Sequence, residues 1–125
     1  MSIKISEEIS KNFHLFWNNY PAPVMLVHKD RTILGVNKAG QAAGYPVGVR
    51  CIDLGEKKHH EGCAADKALQ EGTAVRSVVY LEHAGIVGDV NWIPLADSND
   101  LFIHFIDDIT EYAAERLFPA KTCEC

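Results

Sequence analysis

Apolar residues near the start of the chain recur at steps of three and four, at Ile5, Ile9, Phe13, Phe16, Trp17 and Tyr20. That period lays them along one stripe and predicts an amphipathic helix of about four turns. Ser6 offers an oxygen acceptor to the open N–H groups of the first turn, and Glu7 and Glu8 bring negative charge to the same end. Pro21 and Pro23 stop the helix, because a residue before proline is pushed out of the helical region.

After the prolines the pattern turns to short β-branched runs. Val24 to His28 and Thr32 to Val36, joined by the polar Lys29-Asp30-Arg31, predict an antiparallel hairpin. Asn37 to Gly72 is rich in alanine, glycine and polar residues and has no strand-like run; Cys63 to Gln70 reads as a helix that Gly72 ends. Three more strands follow, Val75 to His83, Ile86 to Leu95 and Leu101 to Asp107, with links short enough for a meander. Asp108 with Glu111 three residues on resembles a capping pair, which predicts a last helix through Leu117 before Pro119.

The predicted order is helix, two strands, helical insert, three strands, helix. In one α+β layer arrangement the five strands form a single antiparallel sheet, the insert covers one face, and the N-terminal helix or a second subunit covers the other. We divide the chain into a helical segment over 1–20, a domain over 21–118 and a tail over 119–125. With 125 residues, 47% hydrophobic and 23% charged, the composition is that of one ordinary globular domain. A net charge of −5, with no basic run longer than Lys57-Lys58, argues against direct nucleic-acid binding. No signal peptide or membrane-length apolar stretch is present in the sequence, so a cytoplasmic protein with reduced cysteines is expected.

Several phrases, taken in order, resemble the PAS family. Pro21-Ala22-Pro23-Val24-Met25-Leu26-Val27 followed by Ile33-Leu34-Gly35-Val36-Asn37-Lys38-Ala39 resembles its first hairpin and the Asn that opens its first short helix. Gly44-Tyr45, Gly48, Ala68-Leu69-Gln70-Glu71-Gly72, Trp92-Ile93-Pro94-Leu95-Ala96-Asp97 and Asp108-Ile109-Thr110-Glu111 continue the likeness, which spans Asn19 to Leu117. The resemblance implies a sensory or interaction module, often a dimer, that encloses haem, flavin, a small metabolite or nothing. The photoactive flavin branch is not expected, because its Asn-Cys-Arg-Phe-type phrase is absent; here Cys51 follows Arg50 and precedes Ile52-Asp53. Within this sequence no kinase, cyclase or receiver segment follows Leu117; the expectation is either a module that acts alone and passes its signal to a signalling-protein partner by assembly, or a piece of something longer.

Candidate chemistry is sparse. Cys51, His59, His60 and Cys63 form a soft and imidazole ligand set that suits zinc or haem iron; the plainer reading, which we favour, is a small core cysteine and solvated loop histidines. For a small-ligand pocket the candidates are Asn37, Tyr80, Trp92, His104 and Phe105, aromatic walls with few polar groups. His104 shares strand parity with Phe102 and Ile106 and serves as a polar anchor only if that face is inward. Asp108 and Thr110 stand at the strand-to-helix junction where a sensor would couple to its output. Phe13, Phe16 and Trp17 are the candidates for a homodimer interface, since their stripe must be buried on the sheet or on a partner. Cys123 and Cys125 suit a soft metal or an intersubunit disulfide, against the plainer reading of a frayed tail. There is no nucleophile elbow or phosphate loop, and the adjacent Asp107 and Asp108 point to opposite faces, so no enzymatic activity is expected.

Overall fold

The computed structural model of this chain describes residues 5–55 and 63–119. Helix α1, Glu7–Trp17, starts where the sequence placed it: the Ser6 side chain accepts from the Ile9 N–H at 3.2 Å. The hairpin is β1, Val24–His28, and β2, Ile33–Val36. The insert carries α2, Lys38–Ala42, a 3-10 turn over Cys51–Asp53, and α3, Ala65–Glu71. Gly72 ends α3 in the left-handed region at φ 67°, a conformation that glycine adopts without steric penalty. The meander is β3, Val75–Leu81, β4, Ile86–Pro94, and β5, Leu101–Asp108.

All five strands form one antiparallel sheet in the order β2-β1-β5-β4-β3, so the two strands before the insert join the three after it through β1 and β5. Register fixes which residues share a face. Met25 lies opposite His104, His104 opposite Trp92, and Trp92 opposite Val75, a row that faces the insert. On this side Val27, Val90, Trp92 and Phe102 pack against Ala65, Ala68 and Leu69 of α3. The next row, Val24, Phe105, Asn91 and Arg76, faces the other way. There Phe13 of α1 packs with Val24, Leu26, Leu101, Ile103 and Phe105, joined by Ile5, Ile9, Trp17 and Tyr20. The α+β architecture expected from the sequence is therefore present, with the insert on one face and the amphipathic helix on the other.

The helical stripe is narrower than the sequence pattern suggested. Ile5, Ile9, Phe13 and Trp17, at steps of four, meet the sheet, whereas Phe16 is 76% exposed beside the equally open Leu15. Of the three candidate interface residues, Phe13 and Trp17 are used on the chain's own sheet and only Phe16 is presented outward.

The expected last helix does not form. Thr110–Tyr112 and Glu115–Leu117 are two 3-10 turns separated by extended backbone at Ala113 and Ala114. The local reason is a competing set of bonds at the junction. Asp108 Oδ1 accepts from both the N–H and the hydroxyl of Thr110, and Thr110 Oγ1 accepts from the Val87 N–H at 3.0 Å, tying the segment to β4. The chain then turns back so that Phe118 lies 6.2 Å from Tyr80. Among the described residues no helix is long and apolar enough to cross a membrane.

Candidate functional site

The five residues considered for one pocket are not brought together. Trp92 and His104 lie on the insert side, stacked with ring centroids 5.3 Å apart, and His104 Nδ1 is 2.9 Å from the Asn91 carbonyl. Phe105 and Tyr80 are on the opposite face: Phe105 contacts Trp17 at 5.5 Å and Tyr20 at 5.4 Å, and Tyr80 meets Phe118. Strand parity separates them, since Tyr80 and Phe105 occupy positions one residue out of step with the row through Trp92.

Asn37 has a different task. It is fully buried, and its Oδ1 accepts from Val24 N and Gly40 N while Nδ2 donates to the carbonyls of Trp17 and Ala22, all four at 2.9 Å. With both ends of the amide engaged by backbone, Asn37 holds the end of α1, the start of β1 and the first turn of α2 in one place. It caps α2, as the resemblance implied, and offers no free polar group to a ligand.

The proposed metal set is only partly visible. His59, His60, Cys123 and Cys125 lie outside the described residues. Cys51 is half-buried against the insert-side core, and burial, with a contribution from Cys63 and against the pull of Arg31, pushes its thiol pKa up. Cys63 is exposed. Among the described residues no group of three His, Cys, Asp or Glu side chains is placed to hold a metal ion.

What the structure does place together is a set of residues around Arg31. The turn between β1 and β2 is shaped by its own side chains: Asp30 Oδ1 accepts from Thr32 N at 2.8 Å, and Arg31 N donates to the His28 carbonyl at 2.7 Å. This leaves Arg31 at φ 82°, the one positive φ at a non-glycine residue among those described. For a long side chain that region costs roughly 1–2 kcal/mol, and compensation comes from the contacts the side chain then reaches. Its carbonyl accepts from Cys51 N at 2.8 Å, Nη1 donates to the Lys29 carbonyl at 2.6 Å, and the guanidinium lies 5.8 Å from the Phe102 ring centre. Nη2 donates to Asp66 Oδ1 at 3.0 Å, linking the hairpin turn to the first turn of α3.

The two ends of this link differ. The Arg31 side chain is 12% exposed, whereas that of Asp66 is 77% exposed. Burial opposes the charge on Arg31, but the hydrogen bond to Asp66 and the neighbouring Cys63 more than offset it and push the pKa up. Arg50 stands beside it, paired to Thr32 across an isolated bridge and donating from Nε to the Asp30 carbonyl at 3.1 Å. Between these groups lies an open cleft of about 620 Å³, lined by Lys29, Asp30, Arg31, Arg50, Ile52, Cys63 and Asp66. Sequence reasoning passed over Arg31, Arg50 and Asp66: Lys29-Asp30-Arg31 reads only as a polar turn, and nothing in the pattern signals the positive φ or the reach from Arg31 to Asp66, 35 positions away.

No family model matches this sequence, and no curated protein matches it. Among solved structures, it is similar to a domain of an HTR-like protein from Haloarcula marismortui, with 26% identity and a TM-score of 0.58 over 70% of this chain and 97% of that one. It is also similar to the histidine kinase ThkA in complex with the response regulator TrrA, at 22% identity and a TM-score of 0.56; 86% of this chain is covered but only 32% of the kinase. A C-terminal domain from Streptococcus mutans matches at 17% identity and a TM-score of 0.55, covering 90% of this chain and 95% of that one. These likenesses agree with the PAS-like order of elements read from the sequence.

Proposed function

We propose that this chain is a PAS-type signalling module in which occupancy of the Arg31 cleft alters how α3 is held, and the change passes through the sheet to an associating protein. The observation that carries the reading is the Arg31–Asp66 link. A partly buried guanidinium on a strained backbone reaches from the hairpin turn to a carboxylate that is itself mostly in water. An ion pair with one partner so exposed contributes little net stability, about 0–1 kcal/mol, so exchanging it for another partner is inexpensive. Strain kept at a cleft is the kind of feature that accompanies a switchable site.

The neighbours support the signalling role at the level of kind: a part of a histidine kinase complexed with a response regulator, 32% of its chain, shares this fold. The insert-side core is filled by Trp92, 4% exposed, and Phe102, 1% exposed, which favours a ligand at the rim over a large cofactor within the sheet. The route outward runs from α3 through the insert-side core to β5, and then to Asp108, which accepts from Thr110, and to Thr110, which accepts from the Val87 N–H of β4. A homodimer through Phe16 and Leu15 is one means of assembly that this geometry leaves open.

Hydrogen exchange tests the coupling without any ligand. Asp66→Asn removes the charge from the link while leaving a side chain of the same shape. The expected result is faster exchange of the α3 amides together with a change at residues 108–112. A change confined to α3, with residues 108–112 exchanging as in the unaltered protein, defeats the proposed transmission.

A further inference from the structure

The cleft is built from more cationic donor capacity than the described residues consume, and we infer that it takes a small organic carboxylate, bound between Arg31 and Arg50 in place of Asp66. This assignment rests on the reading of the cleft as the module's input site. Lys29 is taken by Asp100, with Nζ 3.1 Å from Oδ1, and the Asp30 carboxylate is taken by the Thr32 N–H and by His28. Arg31 uses Nη1 on the Lys29 carbonyl and Nη2 on Asp66. Arg50 uses Nε on the Asp30 carbonyl, and among the described residues no acceptor meets its terminal amino groups. A guanidinium fork matches the two oxygens of a carboxylate, and charge-assisted bonds of that kind are about twice as strong as neutral ones.

The choice of a carboxylate follows from what already sits on Arg31. The site holds one carboxylate oxygen 3.0 Å from Nη2, and an incoming carboxylate reproduces that contact without rearranging the turn. Displaced Asp66 needs no new protein partner, because its side chain is 77% exposed and returns to water. A phosphate group brings nearly two negative charges onto one centre at neutral pH, and the Asp30 carboxylate, which stays in the cleft when Asp66 leaves, opposes it, whereas each carboxylate of propionate or succinate brings one. Ile52 supplies an apolar wall for the carbon skeleton. Binding and release then toggle the attachment of α3: with Asp66 on Arg31 the helix is tied to the hairpin turn, and with ligand on Arg31 it is not.

The test is a titration of the full chain followed by 1H–15N spectra, with sodium propionate, sodium succinate, sodium phosphate and sodium chloride as probes at constant ionic strength. Saturable shifts of the amides of Arg31, Arg50 and Asp66 are expected with the two carboxylates and not with phosphate or chloride. Arg50→Ala, a change at an exposed residue, is expected to weaken propionate binding at least tenfold. Asp66→Asn, which removes the internal competitor, is expected to strengthen it several-fold. Linear shifts without saturation, equal affinity for phosphate, an unchanged affinity in Arg50→Ala, or weaker binding in Asp66→Asn each overturn the assignment. The signalling reading fails separately: if Asp66→Asn alters exchange at residues 108–112 but no carboxylate saturates, the coupling stands and the ligand class falls.

Discussion

Removing the Asn37 amide tests the account of how the two faces of the sheet are joined. In Asn37→Ala the N–H groups of Val24 and Gly40 lose their acceptor, and the carbonyls of Trp17 and Ala22 lose a donor. A buried polar group left without a partner costs about 1–3 kcal/mol. The four losses are unequal: the Trp17 carbonyl also accepts from Tyr20 N at 3.0 Å, and carbonyls tolerate a missing bond better than N–H groups. The Gly40 bond is also the cap of α2, for which alanine costs about 1 kcal/mol. Allowing for relaxation, about 3–4 kcal/mol is expected, a large part of the roughly 5–15 kcal/mol that holds a domain together.

Asn37→Asp sharpens the same test. It keeps the acceptor for Val24 and Gly40 but turns an oxygen toward the Trp17 and Ala22 carbonyls, so the ionised side chain is penalised in the folded state and its folded pKa rises above the unfolded value near 4. A raised folded pKa means that stability is retained below the unfolded pKa and lost as pH rises through the folded one. Denaturant unfolding followed by circular dichroism at pH 4 and pH 7 reads both effects. The expected deficit of Asn37→Asp relative to the unaltered protein is small at pH 4 and larger at pH 7. A loss below about 1 kcal/mol for alanine, or a deficit for Asp that does not change with pH, refutes the reasoning.

Two further expectations follow from the sheet. Tyr20 donates to Asp107 Oδ2 at 2.7 Å, and burial, with that hydrogen bond and the charge of Asp107, pushes its pKa up to about 12. Its neutral form is therefore favoured by folding, a stabilisation complete below the ordinary value of 10 and lost as pH rises toward 12; absorbance near 295 nm should show one late-titrating tyrosine, absent in Tyr20→Phe, and a Phe variant with the same alkaline titration contradicts this. Gly88 lies where an added Cβ would stand 2.8 Å from Leu81 Cδ1 and 2.9 Å from Ile106 Cγ2. Gly88→Ala should lower stability by about 1–3 kcal/mol through overpacking, read from the denaturation midpoint, and an unchanged midpoint would show that the two side-chain ends yield freely.

The sequence by itself determined the elements and most of their bounds. The change from a step of three or four to short β-branched runs marked α1, the hairpin and the meander, and Gly72 marked the end of α3, because these signals depend on local periodicity and local backbone preference. Cap chemistry was legible at Ser6 for the same reason, whereas the cap at Asn37 came from the family resemblance. At Asp108 the same chemistry misled: the side chain serves a turn with Thr110, and the bond from Val87 to Thr110 draws the segment back onto β4. Tertiary structure alone decided which strand face was inward, since register is set by pairing between distant segments, and it thereby separated Tyr80 and Phe105 from Trp92 and His104. It alone also brought the polar hairpin turn against the first turn of α3. The positive φ of Arg31 and its bond to Asp66 arise only when the hairpin turn and the start of α3 are folded against each other, and no one-dimensional pattern encodes that meeting.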